Sequence, residues 1–243
     1  MASDHDRRGR RRPSRTQLSR DDIVQAALEI AAEEGIKNVS MRKVARRLDA
    51  GTMSLYHYVR TKDDLLALMD DAIMGEIVIP EGEMPDGWRE RVTLIAKLSL
   101  AAWMKRPWLI DEEDQFRITE NGMRHMEQSM GALEGLDISA GLKFEIMGQV
   151  DDYLFGYAVR ERAVKPENLI GSEEFEEVAD FVEDNLRSGD YPHLASMFDS
   201  ERTLEEQWVE MLEDVYDDER FERGLNRLLD GVEAELIRLG ALP

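Results

Sequence analysis

From Ser19 onward, apolar side chains recur every third or fourth position, in blocks separated by short polar stretches. That is the repeat of helices with one buried face, and no run keeps the every-second-residue alternation of a half-buried strand. The first block holds Ile23, Ala27 and Ile30. Ser19 is placed to cap it, Asp22 sits at the third helical position to complete a box-like cap, and Leu18 can staple onto Ile23. Gly35 is the expected left-handed terminator. A second helix starts the same way, with Ser40 as cap and Val39 facing Val44; Val44, Ala45 and Leu48 form its inner face. Asp49-Ala50-Gly51 reads as a turn, since Asp and Gly both tolerate positive φ. A third helix, about Thr52 to Tyr58 with Leu55 inward, is too short to be stable alone. Thr61 caps a fourth, with Asp63 and Asp64 in its positive first turn and Leu65, Leu66, Met69 and Ile73 following.

The stretch 79–87 breaks this pattern with prolines and glycines. Beyond it the pattern predicts further helices: one from Trp88 that stops before Pro107, then Ile118–Leu133, Ser139–Ala163, Glu173–Arg187, Thr203–Val215 and Asp218–Leu239. The fold is therefore expected to be all-α. Residues 1–18 form an Arg-rich disordered arm, 19–66 a three-helix head with a helix-turn-helix, and 67–243 a larger helical body. On the last helix Phe221, Leu225, Leu228, Leu229, Val232, Leu236 and Ile237 make a wide apolar stripe, fit for its own core, a partner, or both.

Charge changes the picture more than composition does. The net charge of −21 argues against nucleic acid until its distribution is seen. Residues 1–62 carry 14 Lys+Arg against 8 Asp+Glu, while the rest carries 17 against 44. A basic head on an acidic body is the arrangement of a polyanion binder. Six arginines lie within residues 7–15, and Arg10, Arg11 and Arg12 suit a minor groove or a phosphate track. No cysteine is present, which excludes disulfides and thiolate metal sites and suits a reducing cytoplasm. No apolar run reaches the roughly 18 residues of a membrane span, and no h-region follows the arginines. The four histidines are scattered, and no phosphate-cradling loop, HExxH or GxSxG occurs, so neither enzyme chemistry, cofactor nor metal is expected.

In a helix-turn-helix the second helix enters the major groove. Its outward side chains here are Thr52, Met53, Ser54, Tyr56, His57 and Tyr58, able to read base edges or reach phosphate, with Arg42, Lys43 and Lys62 flanking on the backbone. The stretch 18–69 resembles the TetR-type transcriptional regulators, and closely the tetracycline-repressor branch. Ala26-Ala27-Leu28, Gly35, Ser40-Met41-Arg42, Val44-Ala45, Leu48, Leu55-Tyr56, Val59, Lys62 and Leu65-Leu66 carry the likeness. PDGWRERV, RPWL and the final DDERFERGLNRLLDGVEAEL also have that branch's look.

The resemblance implies a homodimer that binds a double-stranded DNA operator and answers to a small-molecule effector, most simply as a repressor. It places Arg42 and Lys62 on backbone-contact positions. It also implies a dimer bundle of the long helix and the last one, through Leu154, Tyr157, Leu225, Leu228, Val232 and Leu236. Two departures stand out. Asp49 sits where the family usually has Gly, and residues 63–79 lack the histidine with which the tetracycline repressor contacts drug and magnesium.

Effector contacts are expected from Trp103, Phe116, Met123, Met126, Met147 and Asp151. Asp151 falls in step with Phe144, Met147, Leu154 and Ala158, so a carboxylate interrupts an apolar face. Unpaired burial is costly, and an internal or interfacial ion pair is the favoured answer, with a cationic or polar aromatic effector as the other.

Overall fold

Local capping explains where the first helices begin. In the computed structural model, which describes residues 18–109, 117–163, 172–199, 201–217 and 219–242, helix α1 (Arg20–Glu34) opens on a closed capping box. Asp22 N–H donates to Ser19 Oγ at 3.1 Å, and Ser19 N–H donates back to Asp22 Oδ2 at 2.9 Å. Those bonds hold the Asp22 carboxyl below its usual range, the Ser19 hydroxyl contributing most. α2 (Met41–Arg47) is capped by the Ser40 hydroxyl, and α4 (Lys62–Ile77) by a second reciprocal pair between Thr61 and Asp64. Between them α3 spans Thr52–Leu55 alone. Residues 56–58 continue as turns, so the expected helix to Tyr58 is shorter than its sequence suggested. A 3₁₀ turn at Ile36–Asn38, which periodicity did not reveal, links α1 to α2.

Two chain reversals differ from expectation in detail. Gly35 has φ 85° but ψ 152°, so it ends α1 in an extended conformation open only to glycine, not a left-handed helical one. After α2 the left-handed residue is Asp49, at φ 47°, while Gly51 has φ −72°. Ala50 N–H donates to Ala45 O at 2.9 Å and Asp49 N–H to Arg46 O at 3.3 Å, the paired bonds of a Schellman stop.

The chain divides into two compact units, through Ala72 and from Ile73, so the division falls inside α4. In the first unit α1, α2 and α3 pack around Ile23, Ala27, Ile30, Val44, Leu55 and Leu65, all but sealed from solvent. In the second, α5 (Trp88–Lys105), α6 (Glu120–Ala132), α7 (Ala140–Ala163) and α11 (Arg220–Arg238) enclose a core that includes Val92, Ile95, Leu133, Ile146, Leu154, Leu225 and Leu229. Three further helices, α8 (Glu173–Arg187), α9 (Pro192–Ala195) and α10 (Leu204–Val215), pack on one another, with Phe175 against Trp208 at 5.8 Å. α9 and a 3₁₀ turn at Pro107–Leu109 are elements the periodicity missed. Among the described residues there is no strand, and no helix is long and apolar enough to cross a membrane.

Polar ties fix the body's register. Arg89 on α5 donates to Glu233 at 3.0 Å and to the Asn226 carbonyl at 3.1 Å on α11. Gln128 on α6 holds both backbone groups of Ile79, at 3.0 and 2.7 Å. Tyr153 stacks on Phe221 at 5.7 Å and donates its hydroxyl to the Phe221 carbonyl at 3.0 Å. Gly224 permits that approach, since a Cβ there would lie 2.1 Å from the Tyr153 hydroxyl.

Candidate functional sites

The head presents an exposed turn because one residue holds it down. Leu55 is fully buried, and its carbonyl accepts from the N–H groups of Tyr58 and Val59, both at 2.9 Å. With Leu55 inside, Met53, Ser54, Tyr56 and His57 point to solvent, Met53 with 75% of its surface free. Thr52 and Tyr58 are half-buried at the flanks, and the guanidinium of Arg20 reaches the Tyr58 carbonyl at 3.4 Å. An exposed thioether beside hydroxyls and an imidazole is unfavourable as plain surface and apt for base edges and the thymine methyl.

The cations of α2 split into two sets. Lys43 pairs with Glu34 at 2.5 Å and also reaches Asn38. Arg47 forks onto Glu33 and touches Glu29 at 3.3 Å, which pushes its pKa up and holds the Glu33 carboxyl down. Both therefore clamp α2 to α1. Lys43, expected on the phosphate backbone, is engaged within the head itself. Arg42, Arg46, Arg60 and Lys62 are exposed and form no ion pair among the described residues. Arg10, Arg11 and Arg12 lie outside the described residues.

In the body, Trp103 on α5 meets Phe155 on α7 edge-on, ring centres 6.3 Å apart. Met147 is buried in the core, Met126 half-buried, and Met123 on α6 half exposed. Phe116 falls outside the described residues. Asp151 is not on the buried face of α7, which consists of Ile146, Met147, Val150, Leu154 and Ala158. It sits at the edge with the exposed Phe144 and Phe155, and it forms no ion pair among the described residues. The internal pair is therefore not formed among the described residues, because the helix turns this carboxylate toward its open flank. The residue keeps exposed surface, yet burial of the carboxyl, helped by the charge of Asp152, raises its pKa to about 6.

The expected dimer contacts also divide. Leu154, Leu225, Val232 and Leu236 are buried in the protomer's own core. The apolar stripe of α11 spends its centre on α7, so only its rim can face another chain. Tyr157 and Leu228 are half-buried on that rim, and positions Gly156 and Gly231 open onto free space. Beside them an open groove of about 820 Å³ runs between α7, α10 and α11. Arg220 crosses it between the rings of Tyr157 and Tyr216, 4.9 and 4.5 Å from their centres, and pairs with Glu161 at 3.1 Å. Among the described residues no cluster of His, Asp and Glu is arranged to hold a metal.

These features agree with the comparisons. Residues 23–69 match the family model of bacterial regulatory proteins, tetR family, and residues 80–236 match that of the tetracyclin repressor-like C-terminal domain. The HTH-type transcriptional repressor DrrR1 of Streptomyces coeruleorubidus is 32% identical over 231 residues, covering 92% of this chain and 81% of that protein. Apo ActR from Streptomyces coelicolor shares the fold with a TM-score of 0.65 at 25% identity, over 92% of this chain and 99% of that one. ActR in complex with actinorhodin gives 0.66 at 26%, over 90% and 97%. An exposed recognition turn on a clamped three-helix head, joined in sequence to an all-helical body, is thus the architecture of a family: the chain belongs to the TetR family of transcriptional regulators.

Proposed function

We propose that this regulator is a homodimeric, cytoplasmic repressor that leaves a palindromic operator when a small molecule binds its body. Residues 19–66 serve as the reading head and 67–243 as the effector and dimer body. Met53, Ser54, Tyr56 and His57, with Thr52 and Tyr58 at the edges, address the major groove, while Arg42 and Lys62 hold phosphates and Arg10, Arg11 and Arg12 extend the footprint. The observation that carries this is the solvent-facing Met53–His57 turn anchored by a fully buried Leu55. Two heads must meet half-sites one helical turn apart, so a small change in their separation abolishes binding. The partner meets the rim of α7 and α11, around Gly156, Tyr157, Leu228 and Gly231. The DrrR1 and ActR likenesses support repression and ligand control respectively.

Selection of bound fragments from the source genome tests the reading. A single palindromic motif, bound tightly by wild type and at least tenfold more weakly by Tyr56→Ala, is expected. Binding without sequence preference, unchanged by that substitution, overturns it.

A further inference from the structure

Buried donors that lack acceptors are rare in native proteins and call for a bound group. Two lie two residues apart in sequence where α5 ends. Arg106 is 8% exposed; its Nη2 is held by Glu76, but Nη1 is sealed from solvent with no hydrogen-bond partner among the described residues. Trp108, 7% exposed, likewise leaves its indole N–H unmet. The backbone here is hydrogen-bonded: Arg106 N–H donates to the Trp103 carbonyl at 3.0 Å, and Leu109 N–H to the Arg106 carbonyl at 2.9 Å.

A third unmet atom belongs to α6. A Cβ on Gly75 would lie 2.9 Å from Asn121 Nδ2, and Gln128 binds Ile79. His125, between those two contacts on α6, is therefore at the level of Glu76 and Ile77 on α4. Its Nδ1 is buried with no hydrogen-bond partner among the described residues, and burial lowers its pKa. Among the described residues Glu76 is the carboxylate paired with the guanidinium, and Lys105 reaches the same carboxylate at 3.3 Å. Among the described residues, two cations thus share one carboxylate at the end of α5, beside a guanidinium N–H and, two residues on, an indole N–H that are buried and unmet.

We propose that the effector is an aromatic acid whose anionic oxygen binds Arg106 and Trp108, displacing Glu76 from the guanidinium. The class is opposite to the cationic one that Asp151 suggests. Displacement would act on α4 directly, because Glu76 lies in its last turn. This inference rests on the effector-responsive reading above and names the chemistry of that site.

The test is calorimetric titration of the full-length protein, without DNA, with benzoate, 2-naphthoate and anthracene-2-carboxylate. Each is compared with its methyl ester, and 2-naphthylmethylamine serves as the cationic control. At least one acid should bind tenfold or more tightly than its ester and than the amine. Arg106→Lys should weaken that acid tenfold or more with an unchanged thermal melt, and Glu76→Gln, which removes the competing carboxylate, should tighten it severalfold. A merely structural ion pair would not move the two variants in opposite directions. Hydrogen exchange at 74–77 should accelerate when the acid binds wild type. Equal binding of acids and esters, preference for the amine, weakening by Glu76→Gln, or no binding by any acid each overturns the proposal. Operator binding is scored separately, so such a failure leaves the regulator reading standing.

Discussion

The head and the body both carry arginine and lysine, but they use them differently. In the body, Arg89, Arg106, Arg202, Arg220 and Arg223 are each tied to a carboxylate. In the head, among the described residues, the cations facing α1, Lys43 and Arg47, are tied, and those on the far side form no ion pair. A paired cation spends its charge on structure, whereas an open one on the head is free for the phosphate contact proposed above. Charge counts alone do not separate the two uses; the position of each residue relative to α1 does.

The strongest way to break this contrast is to remove what anchors the exposed turn that accompanies the open set. Leu55 is completely buried, so Leu55→Ala should cost about 3 kcal/mol in head stability and abolish operator binding together. Tyr56, 42% exposed, is its foil. Tyr56→Ala should leave the thermal melt in place while weakening DNA binding. Melting followed by circular dichroism, with fluorescence anisotropy on operator DNA, reads both; equal loss of stability in the two variants would remove Leu55 as the anchor.

The next pair separates open from clamped cations. Arg42→Ala should reduce the slope of log affinity against log salt by about one per head, with an unchanged melt. Arg47→Ala should do the reverse: the melt falls slightly as Glu33 and Glu29 lose their partner, while the salt slope holds. Identical salt slopes in the two variants would mean that both arginines face DNA.

The limits of the sequence follow from the same contrast. Caps at Ser19, Ser40 and Thr61 were legible because each partner is three residues away. Leu55 was legible because a short helix offers one inward position. Lys43 was not, since its acceptor, Glu34, lies on another helix and only packing brings the two together. The stripe on α11 announced burial but not by whom, and the structure gives its centre to α7. The place of Asp151 was legible only in part, because residues in step along a helix still spread over a wide arc, and it falls at the margin of the buried face. The unmet donors of Arg106 and Trp108 had no sequence signal, because an unsatisfied group is defined by what surrounds it.

Asp151 allows a weaker test in the body. Its carboxyl is raised to about 6 from 3.8, so the unfolded chain ionises first as pH rises, and stability is lost between about pH 4 and 6. Asp151→Asn should therefore stabilise at pH 7.5 by about 1 kcal/mol, discounted for the residue's exposure, with the advantage gone below about pH 4. Denaturant melts at the two pH values measure it. A gain that persists at pH 4 would place its cause outside this titration.

The smallest effect concerns the turn that aims α3. Asp49 takes φ 47° in the stop that ends α2, the only non-glycine residue at positive φ among those described. Its conformation is enforced by the bonds from Ala50 and Asp49 N–H to Ala45 and Arg46, not by its own preference. Glycine reaches this region without the Cβ penalty but gives the unfolded chain more freedom, so the two effects oppose each other. Asp49→Gly should raise head stability by no more than about 0.5 kcal/mol, while Asp49→Val, β-branched at positive φ, should lower it by about 1 kcal/mol or more. Because the turn sets how α3 follows α2, operator affinity should track that order, with glycine at or above wild type and valine below. Tight operator binding by the valine variant would show that the stop adjusts without moving the reading surface. In that case Leu55, not Asp49, would be what aims it.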